Sequence, residues 1–175
     1  MFRKLSSNEL NRPSGEEYRL MEKKPVVVVL DNVRSQHNIG SAFRTSDAFL
    51  VEKVVLCGIC AVPPTPEIHK SALGAEFSVD WSYKEDSVEA VKDLKAQGYT
   101  IVGVEQAENS TLLNNFKLET EKKYAFVFGN EVKGVRQEVI DLCDMCLEIP
   151  QWGTKHSLNI SVAVGVVLWS VAGAK

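Results

Sequence analysis

The sequence predicts an α/β domain with a mainly parallel sheet flanked by helices. Apolar, β-branched runs without polar alternation recur along the chain, which is typical of strands covered on both faces in a parallel sheet. Segments with helical spacing separate these runs, and strands that alternate with helices indicate βαβ units. The strand candidates are residues 26–30, 53–59, 99–104, 124–129 and 145–150.

The first unit is a strand, a loop and a helix. The strand candidate VVVVL begins at Val26, after a polar stretch that ends at Lys24. A helix is predicted to begin near Ile39, because apolar residues recur from there at helical spacing. Ser35 or Asn38 is positioned to cap this helix.

The middle of the chain contains one clear surface helix. Residues 86–98 have an acidic start, an apolar stripe and a glycine stop, which predicts an amphipathic helix. Residues 61–70 contain three prolines, so an ordered loop is predicted there. A short helix is predicted over 135–143, directly before the last strand.

The C-terminal segment 147–169 joins a strand end, a polar loop and an apolar helix. The helix has no polar face from Asn159 onward, which predicts that it is enclosed on all sides. It is too short to span a bilayer. Ser157 or Asn159 could cap it, or the polar loop that contains both could line a ligand site.

The composition is that of an ordinary globular protein. A chain of 175 residues with 45% hydrophobic and 25% charged residues fits one domain with a substantial core. We expect a polar, basic-containing lead-in over 1–24 and one domain over 25–175. The first residues contain no signal-peptide core, so a cytoplasmic protein without a membrane partner is expected. The net charge of -3 counts mildly against a nucleic-acid partner.

The loops that follow the strands carry the informative polar residues. Ligands of open α/β sheets bind beyond the carboxyl ends of the strands. The loop GNEVKGVR has two glycines at the spacing of a phosphate loop, but Val135 and Arg136 replace the lysine and hydroxyl residue, which excludes a Walker A site. The first strand is not followed by a dinucleotide-binding glycine fingerprint.

The cysteines form two C-x-x-C pairs. Cys57 and Cys60 make one pair, and Cys143 and Cys146 make the other. Such pairs occur in zinc sites, but these two are far apart and each touches a strand that is predicted to be buried. Small core residues in a reducing compartment are the favoured interpretation, and no metal is predicted.

Three strings occur in the order of the three motifs of the SpoU-type ribose methyltransferases of the SPOUT superfamily. LDNVRSQHNIGSAFRTSDAF at 30–49 resembles the first motif, FVFGNEVKGV at 126–135 the second, and IPQWGTKHSLNISVAVG at 149–165 the third. The resemblance implies an S-adenosylmethionine-dependent enzyme that methylates the ribose 2′-hydroxyl of tRNA or rRNA. It also implies a C-terminal deep trefoil knot and a homodimer whose sites are completed across the interface.

The same resemblance implies roles for individual residues. The implied catalytic set is Arg44, Asn38, Glu131, Ser157 and Asn159, and the implied cofactor-binding set is Val104, Glu105, Gly129, Ile149 and Leu158.

Arg44 would activate or position the hydroxyl, and because an unperturbed arginine is a very poor base, an electrostatic role is favoured over deprotonation. Spacing alone favours a simpler interpretation, in which Asn38 is a helix cap and Arg44 pairs with Asp47 at the surface. Gln151 and Trp152 depart from the family's third motif.

The RNA partner is expected to be tRNA, with rRNA as the close alternative, and no DNA partner is expected. The other interpretations are a non-catalytic RNA-binding protein with the knotted fold and a generic nucleotide-binding domain. Trp169 is predicted to lie in the core, whereas Trp81 and Trp152 are candidates either for packing or for stacking on RNA bases.

Overall fold

The computed structural model describes residues 1–119 and 121–172. Its strands are β1 (Lys24–Asp31), β2 (Val51–Cys57), β3 (Asp80–Lys84), β4 (Tyr99–Val104), β5 (Thr111–Leu112), β6 (Lys123–Phe128) and β7 (Met145–Glu148). Its α-helices are α1 (Gly15–Leu20), α2 (Gln36–Ala48), α3 (Pro66–Ala72), α4 (Ala75–Ser78), α5 (Ser87–Ala96), α6 (Gln137–Ile140) and α7 (Ile160–Ala172). Two short 3-10 helices lie at Ser7–Leu10 and Leu113–Asn115.

The described strands form one parallel sheet in the order β3-β2-β1-β6-β4-β7-β5. This arrangement confirms the predicted fold class. Because all strands run the same way, the loops after β4, β6 and β7 meet at one edge of the sheet. The trefoil knot stays a prediction of the resemblance.

Two hydrophobic cores cover the faces of the sheet. Val28 and Leu30 of β1 point into the core with α2, α3 and α7, whereas Val27 and Val29 point into the core with α5 and α6. All four side chains are completely buried. Burial on both faces is the reason that VVVVL shows no polar alternation.

The prediction of a loop over 61–70 is wrong in its second half. Helix α3 begins at Pro66, and the Thr65 hydroxyl caps it by accepting from the Ile68 N–H over 3.2 Å. Proline is well suited to the first helical position, because its missing N–H has no partner there anyway. Strand β3 was not predicted, because an edge strand whose residues are all exposed has no buried apolar pattern.

Helix α7 is only partly enclosed in the single chain. Val164, Val167 and Leu168 are buried, but Val162 is 50% exposed and Trp169 is 69% exposed. Trp169 contacts Phe49 edge-to-face, with 6.2 Å between ring centroids. The predictions of a helix enclosed on all sides and of Trp169 in the core are therefore wrong for the single chain. Within residues 1–119 and 121–172, no helix combines the length and apolar character needed to cross a membrane.

The lead-in is docked on the domain through α1. Tyr18 of α1 is buried, and the Arg19 guanidinium donates to the Phe77 carbonyl over 2.7 Å. Most other residues of the first 24 are exposed, as a polar lead-in requires. The division of the chain at residues 24 and 25 stays a prediction.

Candidate active site

A cleft of about 890 Å³ lies at the carboxyl ends of β4, β6 and β7. This volume is in the range of sites that bind small molecules and cofactors. The cleft is lined by three loops, at 105–108, 129–135 and 149–159. Its lining includes all five residues of the predicted cofactor set, which are Val104, Glu105, Gly129, Ile149 and Leu158, and it includes Glu131, Ser157 and Asn159 of the predicted catalytic set.

The Glu131 carboxylate joins the loop after β6 to the start of α2. Its Oε2 accepts from the Arg34 backbone N–H over 3.0 Å, and its Oε1 accepts from the Ser35 N–H over 2.9 Å. The Asn38 side-chain amide also donates to Oε1, over 3.1 Å. The structure therefore connects the first and second motifs through one carboxylate.

The Asn159 side chain connects the third motif to the same group. Its Nδ2 donates to Asn38 Oδ1 over 3.3 Å, while its Oδ1 accepts from the Ser161 N–H over 2.9 Å at the start of α7. Asn159 thus caps α7 and also lines the cleft. Ser35 caps α2 by accepting from the Asn38 N–H over 3.2 Å. Asn38 itself is 7% exposed, and its side chain bridges Glu131 and Asn159 rather than capping α2.

Hydrogen bonds keep the pKa of Glu131 low. Partial burial alone would raise the pKa of its carboxyl group. The donated bonds from the Arg34 and Ser35 backbone and from the Asn38 amide stabilise the carboxylate, and they hold this pKa below its ordinary value. Glu131 is therefore ionised near neutral pH and orients the Asn38 amide by its charge.

The glycine loop after β6 is folded tightly against itself. A Cβ atom on Gly129 would lie 2.0 Å from the Gly134 carbonyl carbon and from the Val135 nitrogen. Glu105 fixes the same loop, since its Oε2 accepts from the Val135 N–H over 3.0 Å and its Oε1 accepts from the Gln106 N–H over 2.9 Å. Glu105 thus holds the loop that forms the cleft wall, in addition to lining the cleft.

A buried aspartate anchors the far end of this loop. Asp31, at the end of β1, is completely buried, and its Oδ2 accepts from the Arg136 N–H over 3.0 Å. Its Oδ1 accepts from the Ser87 hydroxyl over 2.6 Å. The Arg136 guanidinium pairs with Asp86, which raises the pKa of Arg136. The sequence places Asp31 at the start of one of the polar loops that follow the strands, but it does not reveal that Ser87 and Arg136 are its partners.

Arg44 lies apart from this cleft in the single chain. It is exposed on α2 and does not line the cleft, and its guanidinium forms no hydrogen bond or ion pair with any residue of 1–119 and 121–172. Asp47 accepts instead from the Ser78 hydroxyl over 2.8 Å. The surface pair between Arg44 and Asp47 is therefore not formed. The partners of the Glu131 carboxylate are Arg34, Ser35 and Asn38, and none of these bonds involves Arg44.

Two of the cysteines, Cys57 and Cys60, are buried in the core, whereas Cys143 and Cys146 are partly exposed. Burial raises the pKa of Cys57 to about 12 and that of Cys60 to about 11, so both thiols are protonated near neutral pH. All four cysteines are free thiols. In the part of the chain that the structure describes, no group of three or more His, Cys, Asp or Glu residues could hold a metal ion.

Residues 25–169 match the model of the SpoU rRNA Methylase family. The chain belongs to this family. The match covers the sheet, the cleft and most of α7, and so includes all three motifs around Glu131, Asn38 and Asn159.

Individual relatives agree with this membership. The chain is 30% identical over 148 residues to the 23S rRNA (guanosine-2′-O-)-methyltransferase RlmB of Neisseria meningitidis. The alignment covers 85% of this chain and 58% of the relative. The chain thus spans somewhat more than half the length of this relative.

Solved structures are also similar. The TrmH/SpoU tRNA modifying enzyme of A. aeolicus matches with a TM-score of 0.77 and 26% identity, over 89% of this chain and 79% of that one. The SpoU methyltransferase AviRb of Streptomyces viridochromogenes, in complex with the cofactor AdoMet, matches with a TM-score of 0.73 and 25% identity, over 90% of this chain and 61% of that one.

Proposed function

We propose that this chain is an S-adenosylmethionine-dependent RNA methyltransferase that methylates a ribose 2′-hydroxyl. The observation that carries the proposal is the meeting of three distant motifs at one cleft, through the hydrogen bonds from Asn159 to Asn38 and from Asn38 to Glu131. Family membership and the AdoMet complex of AviRb support the choice of cofactor.

The residues of the cleft fit this cofactor. Val104, Ile149 and Leu158 provide apolar walls, and the tight glycine loop presents backbone groups at close range. A polar, nucleoside-sized molecule needs this combination of apolar surface and a few fixed polar groups. Bound S-adenosylmethionine supplies an electrophilic methyl group on its sulfonium sulfur.

The chain's own residues would align the hydroxyl and stabilise the charge that develops on it. A ribose hydroxyl is a poor nucleophile near neutral pH, so its oxygen must be aligned with the methyl carbon and its proton must be removed. Asn38, held by the ionised Glu131, and Ser157 and Asn159 at the rim would position the ribose. Arg44 would stabilise negative charge on the oxygen, since a guanidinium is a cation with several N–H donors.

A homodimer would bring Arg44 to the site. Arg44 does not line the cleft of its own chain, and α7 exposes Val162 and Trp169 beside α2. Such an apolar surface on a helix is suited to burial against a second copy. In this arrangement the Arg44 of one copy completes the cleft of the other.

We infer that tRNA is the preferred substrate class. The A. aeolicus tRNA modifying enzyme is covered over 79% of its length by this chain, whereas the rRNA enzyme of N. meningitidis is covered over 58%. The test is incubation with methyl-labelled S-adenosylmethionine and separate pools of unmodified tRNA and rRNA. Label in the tRNA pool alone is expected. Label in rRNA alone would overturn the substrate class, and cofactor binding without transfer to either pool would favour a non-catalytic RNA-binding protein.

A further inference from the structure

Trp152 is exposed to solvent on the loop after β7, next to the cleft-lining residue Gln151. It is 91% exposed, compared with 37% for Trp81 and 69% for Trp169. Tryptophan is highly buried on average in folded proteins. Its neighbour Gln151 lines the cleft, as do His156, Ser157 and Leu158 of the same loop. Packing within the chain therefore does not explain why a tryptophan occupies this exposed position.

The loop that carries Trp152 is anchored on both sides of the ring. Before it, Ile149 packs against the core that contains α7. After it, the Gln106 side-chain amide donates to the His156 carbonyl, and Asn159 donates to Asn38. An aromatic ring on an anchored loop can bind a flat partner with little further loss of backbone freedom.

We propose that Trp152 stacks on a base of the RNA substrate next to the nucleotide whose ribose enters the cleft. The inference rests on the proposed function and adds a determinant of substrate binding to it. Single-stranded RNA is commonly held by aromatic side chains on which its unstacked bases lie. Lys155, exposed three residues later on the same loop, provides a cation for the adjoining phosphate. Lys133, exposed on the opposite loop of the cleft, provides another.

The chemistry of this loop favours RNA over a second copy of the chain. Three of the residues between Gln151 and Ser157, namely Thr154, Lys155 and His156, are polar and exposed. The core of a protein–protein interface is instead depleted of charged residues. The exposed apolar face of α7, at Val162 and Trp169, has the character that a contact between copies requires.

The test compares Trp152→Ala, Trp152→Phe and the wild type in methyl transfer to whichever RNA pool the wild type methylates. Stacking predicts that Trp152→Ala raises the KM for RNA by about tenfold and leaves the KM for S-adenosylmethionine within about twofold. Trp152→Phe, which keeps a stacking face, should restore most of the loss. Trp81→Ala, on the edge strand β3 far along the sheet from β7, is the matched control and should leave the KM for RNA unchanged.

Each other outcome has a defined meaning. An unchanged KM for RNA in Trp152→Ala overturns the inference while the proposed function stands. A changed sedimentation mass in Trp152→Ala also overturns it, because Trp152 then belongs to a contact between copies. A wild-type protein that binds S-adenosylmethionine but transfers no methyl group to either RNA pool overturns the proposed function, and this inference with it.

Discussion

The Asn38 amide donates to Glu131 Oε1 over 3.1 Å, across 93 positions of the chain. This bond, together with that from Asn159 to Asn38, makes the start of α2, the glycine loop and the start of α7 one polar unit. Glu131 and Asn159 of this unit line the cleft. The bonds of the unit therefore fix the relative positions of the loops that would hold cofactor and substrate.

The charge of Glu131 should make the stability of this unit depend on pH. Its pKa in the folded protein is lower than the ordinary value of 4.5, so the carboxylate stabilises the fold above that value and the stabilisation is lost as pH falls through the folded pKa. We expect Glu131→Gln to melt below the wild type at pH 7. The difference between the two melting temperatures should shrink as the pH is lowered below about 4.5.

The control for this measurement is Glu16→Gln, which removes one negative charge at an exposed position of α1. Circular dichroism melts of the three proteins between pH 7 and pH 3 provide the comparison. A difference between Glu131→Gln and the wild type that stays constant across this range would contradict the assigned role of the charge.

Gly129 should not tolerate a side chain. The Cβ of Gly129→Ala would meet the backbone of Gly134 and Val135 at 2.0 Å, and backbone cannot move aside as a flexible side chain can. We expect a loss of stability of about 1–3 kcal/mol. Calorimetric titration should also show weaker binding of S-adenosylmethionine, because the displaced loop forms the cleft wall.

Gly153→Ala is the matched control for Gly129→Ala. Its Cβ would meet nothing within 4 Å, and its φ is not in the left-handed region. This variant should bind the cofactor as the wild type does. Equal stability and equal affinity for S-adenosylmethionine in the two variants would show that the close approach at Gly129 does not shape the cleft.

Much of the fold can be predicted from local sequence patterns. VVVVL identified a doubly covered strand because both of its faces are buried, and the acidic start and glycine stop identified α5 almost to the residue. The start of α3 at Pro66 was not predicted, because proline breaks a strand but is also favoured at the first position of a helix. The exposure of Trp169 was not predicted, because an apolar residue on a short helix is equally compatible with a core position and with a surface that a second copy would cover.

Spacing alone left the roles of the site residues open. Ser35 and Asn38 were equal candidates for capping α2, and only the tertiary structure shows that Ser35 caps while Asn38 reaches Glu131. The partners of Asp31 could not be predicted, because Ser87 and Arg136 lie 56 and 105 positions away. Local sequence contains no signal for contacts at such separations.

Arg44 should be required for methyl transfer but not for folding. The side chain is exposed, so Arg44→Ala should leave the melting temperature and the affinity for S-adenosylmethionine close to those of the wild type. Single-turnover transfer should fall on the order of 10²-fold or more, the typical loss when a group that stabilises transition-state charge is removed.

Arg44→Lys separates charge from geometry. Lysine keeps the positive charge but lacks the planar fork of the guanidinium. It should recover only part of the rate. Turnover of Arg44→Ala at the wild-type rate would show that Arg44 is not part of the site.

The exposed face of α7 should mediate self-association. Trp169→Glu would place a charge on that face, and burying an unpaired charge opposes association. Light scattering should show a dimer for the wild type and a monomer for Trp169→Glu. Ala96→Glu, at an exposed position of α5, is the control and should remain dimeric. A monomeric wild type, or a dimeric Trp169→Glu, would contradict the proposed interface.

The position of the transferred methyl group tests the central proposal most directly. RNA that has been incubated with the protein and S-adenosylmethionine is digested to nucleosides, and the methylated product is fragmented in a mass spectrometer. The proposal predicts that the added methyl mass stays with the ribose fragment. A methyl group found on the base fragment would contradict ribose 2′-hydroxyl methylation by this chain.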